Sequence, residues 1–254
     1  MSAEMPEVPR GNGKHPIALI VFSASDLAAS GAFYALLFGW KLQPMSPQMA
    51  AGVPPSGPMI ALRSDFPAGS PGMVPYIGVP DVEAMAARAV EAGGEIERAP
   101  WSVPMVGRLA RFKDPSGTIY GLTDAVPPGG APHVPMPFGG NPRPPAGALC
   151  SVEMYTAEGK GEGFFGGLFG WGTRATMPQY VAFDAGAGVG GVFQSHTPAL
   201  PALAYLYVAD VEAKLAEIEV AGGQRLGDPM RMPGLACFGY FKDPSGTSMG
   251  LIGP

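Results

Sequence analysis

Apolar residues along the chain follow two periods in turn. Ile17–Ser23 (IALIVFS) is β-branched and apolar, which predicts a strand. Asp26 then offers an N-cap to LAASGAFYALLFG, where Leu27, Phe33, Leu36 and Leu37 recur near helical spacing, and Gly39 is placed to stop the helix. Met59–Arg63 and Val74–Val79 predict further strands. Asp81 caps a second predicted helix, VEAMAARAVEAGG, with an apolar stripe at Val82, Met85, Ala89 and Val90 and a stop at Gly93–Gly94. Val106–Phe112 and Thr118–Leu122 predict two strands joined by a DPSG turn, with Pro115 suited to it. This stretch reads β-α-β-β-β twice.

The pattern then repeats. FYALLFGW at Phe33–Trp40 returns as FFGGLFGW at Phe164–Trp171, DVEA at Asp81–Ala84 returns at Asp210–Ala213, and FKDPSG at Phe112–Gly117 returns unchanged at Phe241–Gly246. Three landmarks in one order, at offsets of 129 to 131 residues, indicate a tandem duplication. The second copy predicts a strand at Cys150–Thr156, a helix at Gly161–Phe169, a hairpin at Tyr180–Gln194, a strand at Leu203–Val208, a helix at Val211–Ala221, and strands at Leu235–Phe241 and Thr247–Ile252. Between the copies lie 22 residues with eight prolines and five glycines, which predict an extended connector. The expected organisation is a first domain over 14–125, a linker over 126–147 and a second domain over 148–254.

Composition changes this picture little. With Gly 38 and Pro 30, about 27% of the 254 residues are turn-formers, but 46% are hydrophobic, more than a disordered chain would carry. Many short strands account for both figures. The net charge of −5 argues against a nucleic-acid partner, because no basic surplus exists to displace counterions. No signal-like leader and no apolar run long enough to span a membrane is visible, and two cysteines, Cys150 and Cys237, are too few for a disulfide framework. A cytoplasmic monomer or homodimer with reduced thiols is expected, with a small-molecule ligand and no membrane partner.

Paired β-α-β-β-β modules carrying D…FYxxLFGW, DVxAxxxxxxxxGG and xxDPSGxxxxL resemble the vicinal oxygen chelate superfamily. This is the group of glyoxalase I, bleomycin- and fosfomycin-resistance proteins and extradiol dioxygenases. The tandem layout is most similar to bacterial two-domain glyoxalase-like proteins. The resemblance implies an α+β fold with a U-shaped mixed sheet in each domain and a cavity on its concave face. It also implies a divalent metal held by His, Glu or Gln from the first and last strands of the modules. By the family pattern those places fall on Leu19, Val74 and Leu203, seven residues before the capping aspartates, and on Gly121 and Gly250, seven after the aspartate of DPSG. None of the five offers a metal-binding side chain. The place in the third module falls on Cys150 when counted from LFGW and on Ser151 when Glu158 is taken as the capping acid. The three histidines, His15, His133 and His196, fall at none of these places. The expectation is a small-molecule-binding member without the family metal; a lyase, isomerase or dioxygenase with unconventional ligands is the rival.

Strand residues two apart share a face, so Tyr205 and Tyr207 go with Leu203, and Tyr76 with Val74, on the expected concave side. Tyrosines suit a cavity for a flat organic ligand. Glu153 lies mid-strand among apolar neighbours, where an acid is costly unless paired or solvated. If Glu158 sets the register, Glu153 faces the cavity with Ser151 and Tyr155, and desolvation makes it a candidate general base. If LFGW sets it, Glu153 faces out. Arg108 and Arg111, three apart, lie on opposite strand faces, so one of them enters the first cavity as an anion anchor. Trp101 and Met105, with Met230 and Met232 in the second copy, precede that strand as lid candidates, and Gln194 completes the set. The GxGxxG match at 186–191 leads into a strand rather than a helix, so it reads as a hairpin turn and not a dinucleotide site.

Overall fold

The computed structural model describes residues 7–66, 72–104, 106–125, 131–137, 141–158, 160–196 and 202–254. Met105 lies outside them. The first copy runs β1 (Ile17–Ser23), α1 (Leu27–Phe38), β2 (Lys41–Ser46), β3 (Met49–Val53), β4 (Met59–Arg63), β5 (Met73–Gly78), α2 (Val82–Glu91), β6 (Glu95–Val103), β7 (Gly107–Lys113) and β8 (Ile119–Thr123). The second runs β9 (Leu149–Tyr155), α3 (Gly161–Phe169), β10 (Gly172–Met177), β11 (Tyr180–Asp184), β12 (Gly191–Gln194), β13 (Ala202–Tyr207), α4 (Val211–Val220), β14 (Gln224–Arg225), β15 (Met230–Met232), β16 (Ala236–Lys242) and β17 (Ser248–Gly253).

Each copy makes one mixed sheet. The orders are β2-β3-β4-β1-β5-β8-β7-β6 and β10-β11-β12-β9-β13-β17-β16-β14, with β15 added on β16. Two β-α-β-β-β modules therefore join through their first strands, antiparallel in both sheets. The fold is α+β, two tandem glyoxalase-like domains. The β-α-β-β-β reading leaves one strand after α2 unplaced; it is β6, nine residues long, whose EIERAPWSV alternates too weakly to signal it.

Local chemistry explains the ends of the elements. Asp26 accepts from the N–H groups of Ala28 and Ala29, and α1 stops at Gly39 with a φ of 67°, a value at which a side chain would be strained. Asp81 and Asp210 cap α2 and α4 in the same way. Glu158 does not cap α3: the N-cap is Lys160, which makes no side-chain bond there. In each DPSG turn the aspartate Oδ1 accepts from two backbone N–H groups, Ser116 and Thr118 in one copy and Ser245 and Thr247 in the other. The glycine-rich stretch at 186–191 is the turn between β11 and β12, with positive φ at Gly186 and Gly188.

The helical layers of the two copies meet and form one core. Phe33 and Phe38 of α1 lie against Phe241 of β16, at ring centroids of 6.1 and 5.9 Å. Phe164 and Phe169 of α3 lie against Phe112 of β7 at 5.9 and 6.4 Å. The Tyr34 hydroxyl, wholly buried, donates to Asp243 Oδ2 at 3.0 Å. At the matching place the repeat puts Phe165, which has no hydroxyl, and Asp114 Oδ2 is buried without a hydrogen-bond partner among the described residues. Burial pushes the Asp114 carboxyl up to about 6, against the pull of its backbone N–H donors. The connector also packs: Val134 is buried and bridges to Val189. No helix among the described residues is long and apolar enough to cross a membrane.

Candidate functional site: two unlike concave cavities

Strand pairing fixes which residues look into each concave face. Leu19 stands opposite Tyr76, which neighbours Gly121, which in turn faces Arg111. In the second copy the same chain is Ser151, Tyr205, Gly250 and Tyr240. One residue pair further along, Val21 matches Glu153. The register in which Ser151 and Glu153 face the cavity is therefore the one present. Cys150 points the other way into the shared core, where burial pushes its thiol well up.

The second cavity has a volume of about 120 Å³. Met136 of the connector, Met230, Met232 and Phe238 supply apolar walls, and Glu153 is the one charged residue among its described lining. Tyr205 donates to Glu153 Oε2 at 2.6 Å, and its oxygen lies 3.3 Å from the Tyr240 hydroxyl. Burial raises the Glu153 pKa; the Tyr205 hydrogen bond and the nearby His196 oppose that rise without cancelling it. His196 Nε2 lies 2.6 Å from the Tyr180 hydroxyl and 3.9 Å from Glu153 Oε1. Sequence reading assigned His196 no part in this. Its approach depends on the β11–β12 hairpin setting Tyr180 opposite Gln194, a register invisible before pairing.

The other candidates fall as follows. Tyr155 shares the face of Glu153, but its side chain is not among the cavity lining. Tyr207 is buried in the core beyond the cavity. Gln194 is buried and lines a separate groove with Thr156 and Glu158.

The first cavity, also about 120 Å³, is floored by Leu19, Val21, Tyr76 and Leu109 and walled by Trp101. Arg111 enters it; Arg108 points outward to Glu83 and Ser102. Two further arginines that sequence reading missed, Arg63 and Arg98, line the same cavity.

The structure gives a reason why the glycines hold the family's ligand places. A Cβ on Gly121 would sit 2.1 Å from Tyr76 Cδ1, and one on Gly250 would sit 2.4 Å from Tyr205 Cδ1. The tyrosine rings fill the space that a metal-binding side chain would need. With Leu19, Val74 and Leu203 as apolar neighbours, the residues at these places do not fit the family's metal. Among the described residues no group of three His, Cys, Asp or Glu side chains converges as a metal set either.

Residues 16–119 match the family described as Glyoxalase/Bleomycin resistance protein/Dioxygenase superfamily. The chain is 29% identical over 248 residues to "Putative glyoxylase CFP32" of Mycobacterium tuberculosis, covering 91% of each. It is 28% identical over 165 residues to the anthracycline biosynthesis protein DauV of Streptomyces sp., covering 57% of each. Its fold is similar to that of the Mn(II)-bound glyoxalase from Novosphingobium aromaticivorans, with a TM-score of 0.66 at 16% identity, over 96% of this chain and 82% of that one. Fold and motifs together define a tandem glyoxalase-like protein. The first copy matches the glyoxalase/bleomycin resistance protein/dioxygenase model, and the second copy repeats its strand order.

Proposed function

We propose that the second cavity binds a small organic molecule without the family metal, with Glu153 as its polar anchor. The observation that carries this is the tyrosine ring over Gly250: the place of a ligand side chain is taken by Tyr205, whose hydroxyl holds Glu153 instead. An internal volume near 120 Å³ compares with the ~150 Å³ apolar cavity that takes up benzene, so one ring enters and any remainder projects through the mouth. Met136, Met230 and Met232 adapt to the shape of such a ring. A ligand with an O–H or N–H directed at Glu153 is favoured over a purely apolar one. Where that proton is acidic, Glu153 is the group placed to take it.

Two measurements test this. Purified protein analysed by plasma mass spectrometry is expected to hold well under one Fe, Ni, Mn or Zn per chain; about one tightly held ion per chain overturns the metal-free reading. p-Cresol is expected to bind by titration calorimetry, and Glu153→Gln to weaken it about tenfold, the worth of one hydrogen bond to a charged group. Equal binding of p-cresol by the variant, or preference for toluene, refutes the role of Glu153.

A further inference from the structure

The duplication has reversed the charge of its two cavities. Where the second copy has Glu153 and Tyr240 beside its tyrosine, the first has Val21 and Arg111 beside Tyr76. Arg63 and Arg98 join Arg111 along the rim. Arg63 is paired with Asp65, and Arg111 is paired with Glu97: a terminal nitrogen donates at 3.1 Å, while Nε lies 2.7 Å from the other oxygen without a well-formed hydrogen bond. Arg98 has no carboxylate partner within ion-pair distance among the described residues, and its guanidinium lies 3.9 Å from the centre of the Trp101 ring. Three guanidiniums thus face two carboxylates, and the surplus cation lies over an aromatic wall. Behind them the cavity is apolar: Leu19, Val21, Ala61 and Leu109 are nearly inaccessible. The Tyr76 hydroxyl takes no hydrogen-bond partner among the described residues, unlike that of Tyr205. It lies within the field of all three arginines.

The geometry points to a second, separate ligand site in the first domain, for a small organic carboxylate. An aryl or branched aliphatic body would enter among Leu19, Val21 and Leu109, with the carboxylate at the rim held by the unpaired Arg98 and by the one terminal nitrogen of Arg111 that Glu97 leaves free. A guanidinium fork matches a carboxylate in two parallel hydrogen bonds, and an arginine already held over an aromatic ring loses less side-chain freedom on binding. The Trp101 ring then flanks the ligand. This site does not depend on the reading of Glu153, because no lining residue is common to the two cavities.

Phenylacetate and its neutral amide, phenylacetamide, discriminate the idea. Titration of the full chain is followed by tryptophan fluorescence, with Trp101→Phe identifying the reporting ring among the three tryptophans. Phenylacetate is expected to change the emission saturably, and the amide to bind at least tenfold more weakly. Arg98→Gln, a substitution at an exposed residue, is expected to weaken phenylacetate about tenfold while leaving the melting temperature unchanged. Arg111→Lys keeps the charge and loses the fork, and should weaken it several-fold. Glu153→Gln should leave phenylacetate binding unaltered. No saturable binding of phenylacetate, equal binding of acid and amide, or insensitivity to Arg98→Gln overturns the assignment. Loss of binding in Glu153→Gln instead places the ligand in the second cavity and also overturns it.

Discussion

Gly250→Ala is the sharpest test of why a glycine stands at this strand position. The new Cβ would lie 2.4 Å from Tyr205 Cδ1 and 2.5 Å from Cε1, so the ring must retreat by about 1 Å to reach ordinary contact. Tyr205 is 6% exposed and is met edge-on by Phe238 and Tyr240, at centroids of 6.1 and 6.2 Å. Such overpacking costs about 1–3 kcal/mol. The displaced hydroxyl also leaves Glu153 without its 2.6 Å donor, which adds roughly 1–3 kcal/mol. The expected destabilisation is about 2–6 kcal/mol, read by equilibrium urea unfolding. Tyr205→Ala alone should cost about 3–5 kcal/mol, as large-to-small core changes do. The double variant should cost no more than Tyr205→Ala, because the ring that clashed is gone. The cycle would then show a coupling of about 2 kcal/mol or more. A Gly250→Ala protein within ~0.5 kcal/mol of the parent, or two costs that simply add, refutes the reasoning.

Three other outcomes follow from the same geometry. Because burial raises the Glu153 pKa, the folded protein keeps this proton to higher pH than the unfolded chain, so its contribution to stability falls as pH rises from the ordinary carboxylate range toward neutrality. The melting temperature of Glu153→Gln relative to the parent should therefore increase from pH 4 to pH 7. Asp114, pushed up to about 6, has the same sign and should make stability fall by roughly 3 kcal/mol between about pH 4 and 6; Asp114→Asn should flatten that slope in pH-dependent calorimetry. Tyr34→Phe removes the donor to Asp243 Oδ2 and should cost about 1–3 kcal/mol in urea unfolding, making the second DPSG turn resemble the first.

Much of the fold was legible because the duplication wrote it twice. The FYALLFGW and FKDPSG repeats placed the helix and the turn in each copy, and the predicted helix at Gly161–Phe169 is present with those bounds despite its four glycines. The site was legible only up to parity. Alternation said that Arg108 and Arg111 diverge, but only the pairing of Arg111 with Gly121 says which one enters. Counting from Glu158 put Ser151 and Glu153 inside for the wrong reason, since Glu158 caps nothing and the pairing of β9 with β13 sets the register. Arg63, Arg98 and Tyr180 gave no signal, because each reaches its cavity through a strand neighbour distant in sequence, and His196 none, because it approaches Glu153 beside Tyr180. Nor did any local pattern reveal that α1 packs on the far copy.

That contact between α1 and the second copy has a consequence for the growing chain on the ribosome. Phe38 can meet Phe241 only after some 200 further residues have been made. At ~5–20 residues per second, the nascent first half waits roughly 10–40 s with Phe33 and Phe38 uncovered. During that interval it is an aromatic surface open to chaperones, and to the same helix on a neighbouring nascent chain.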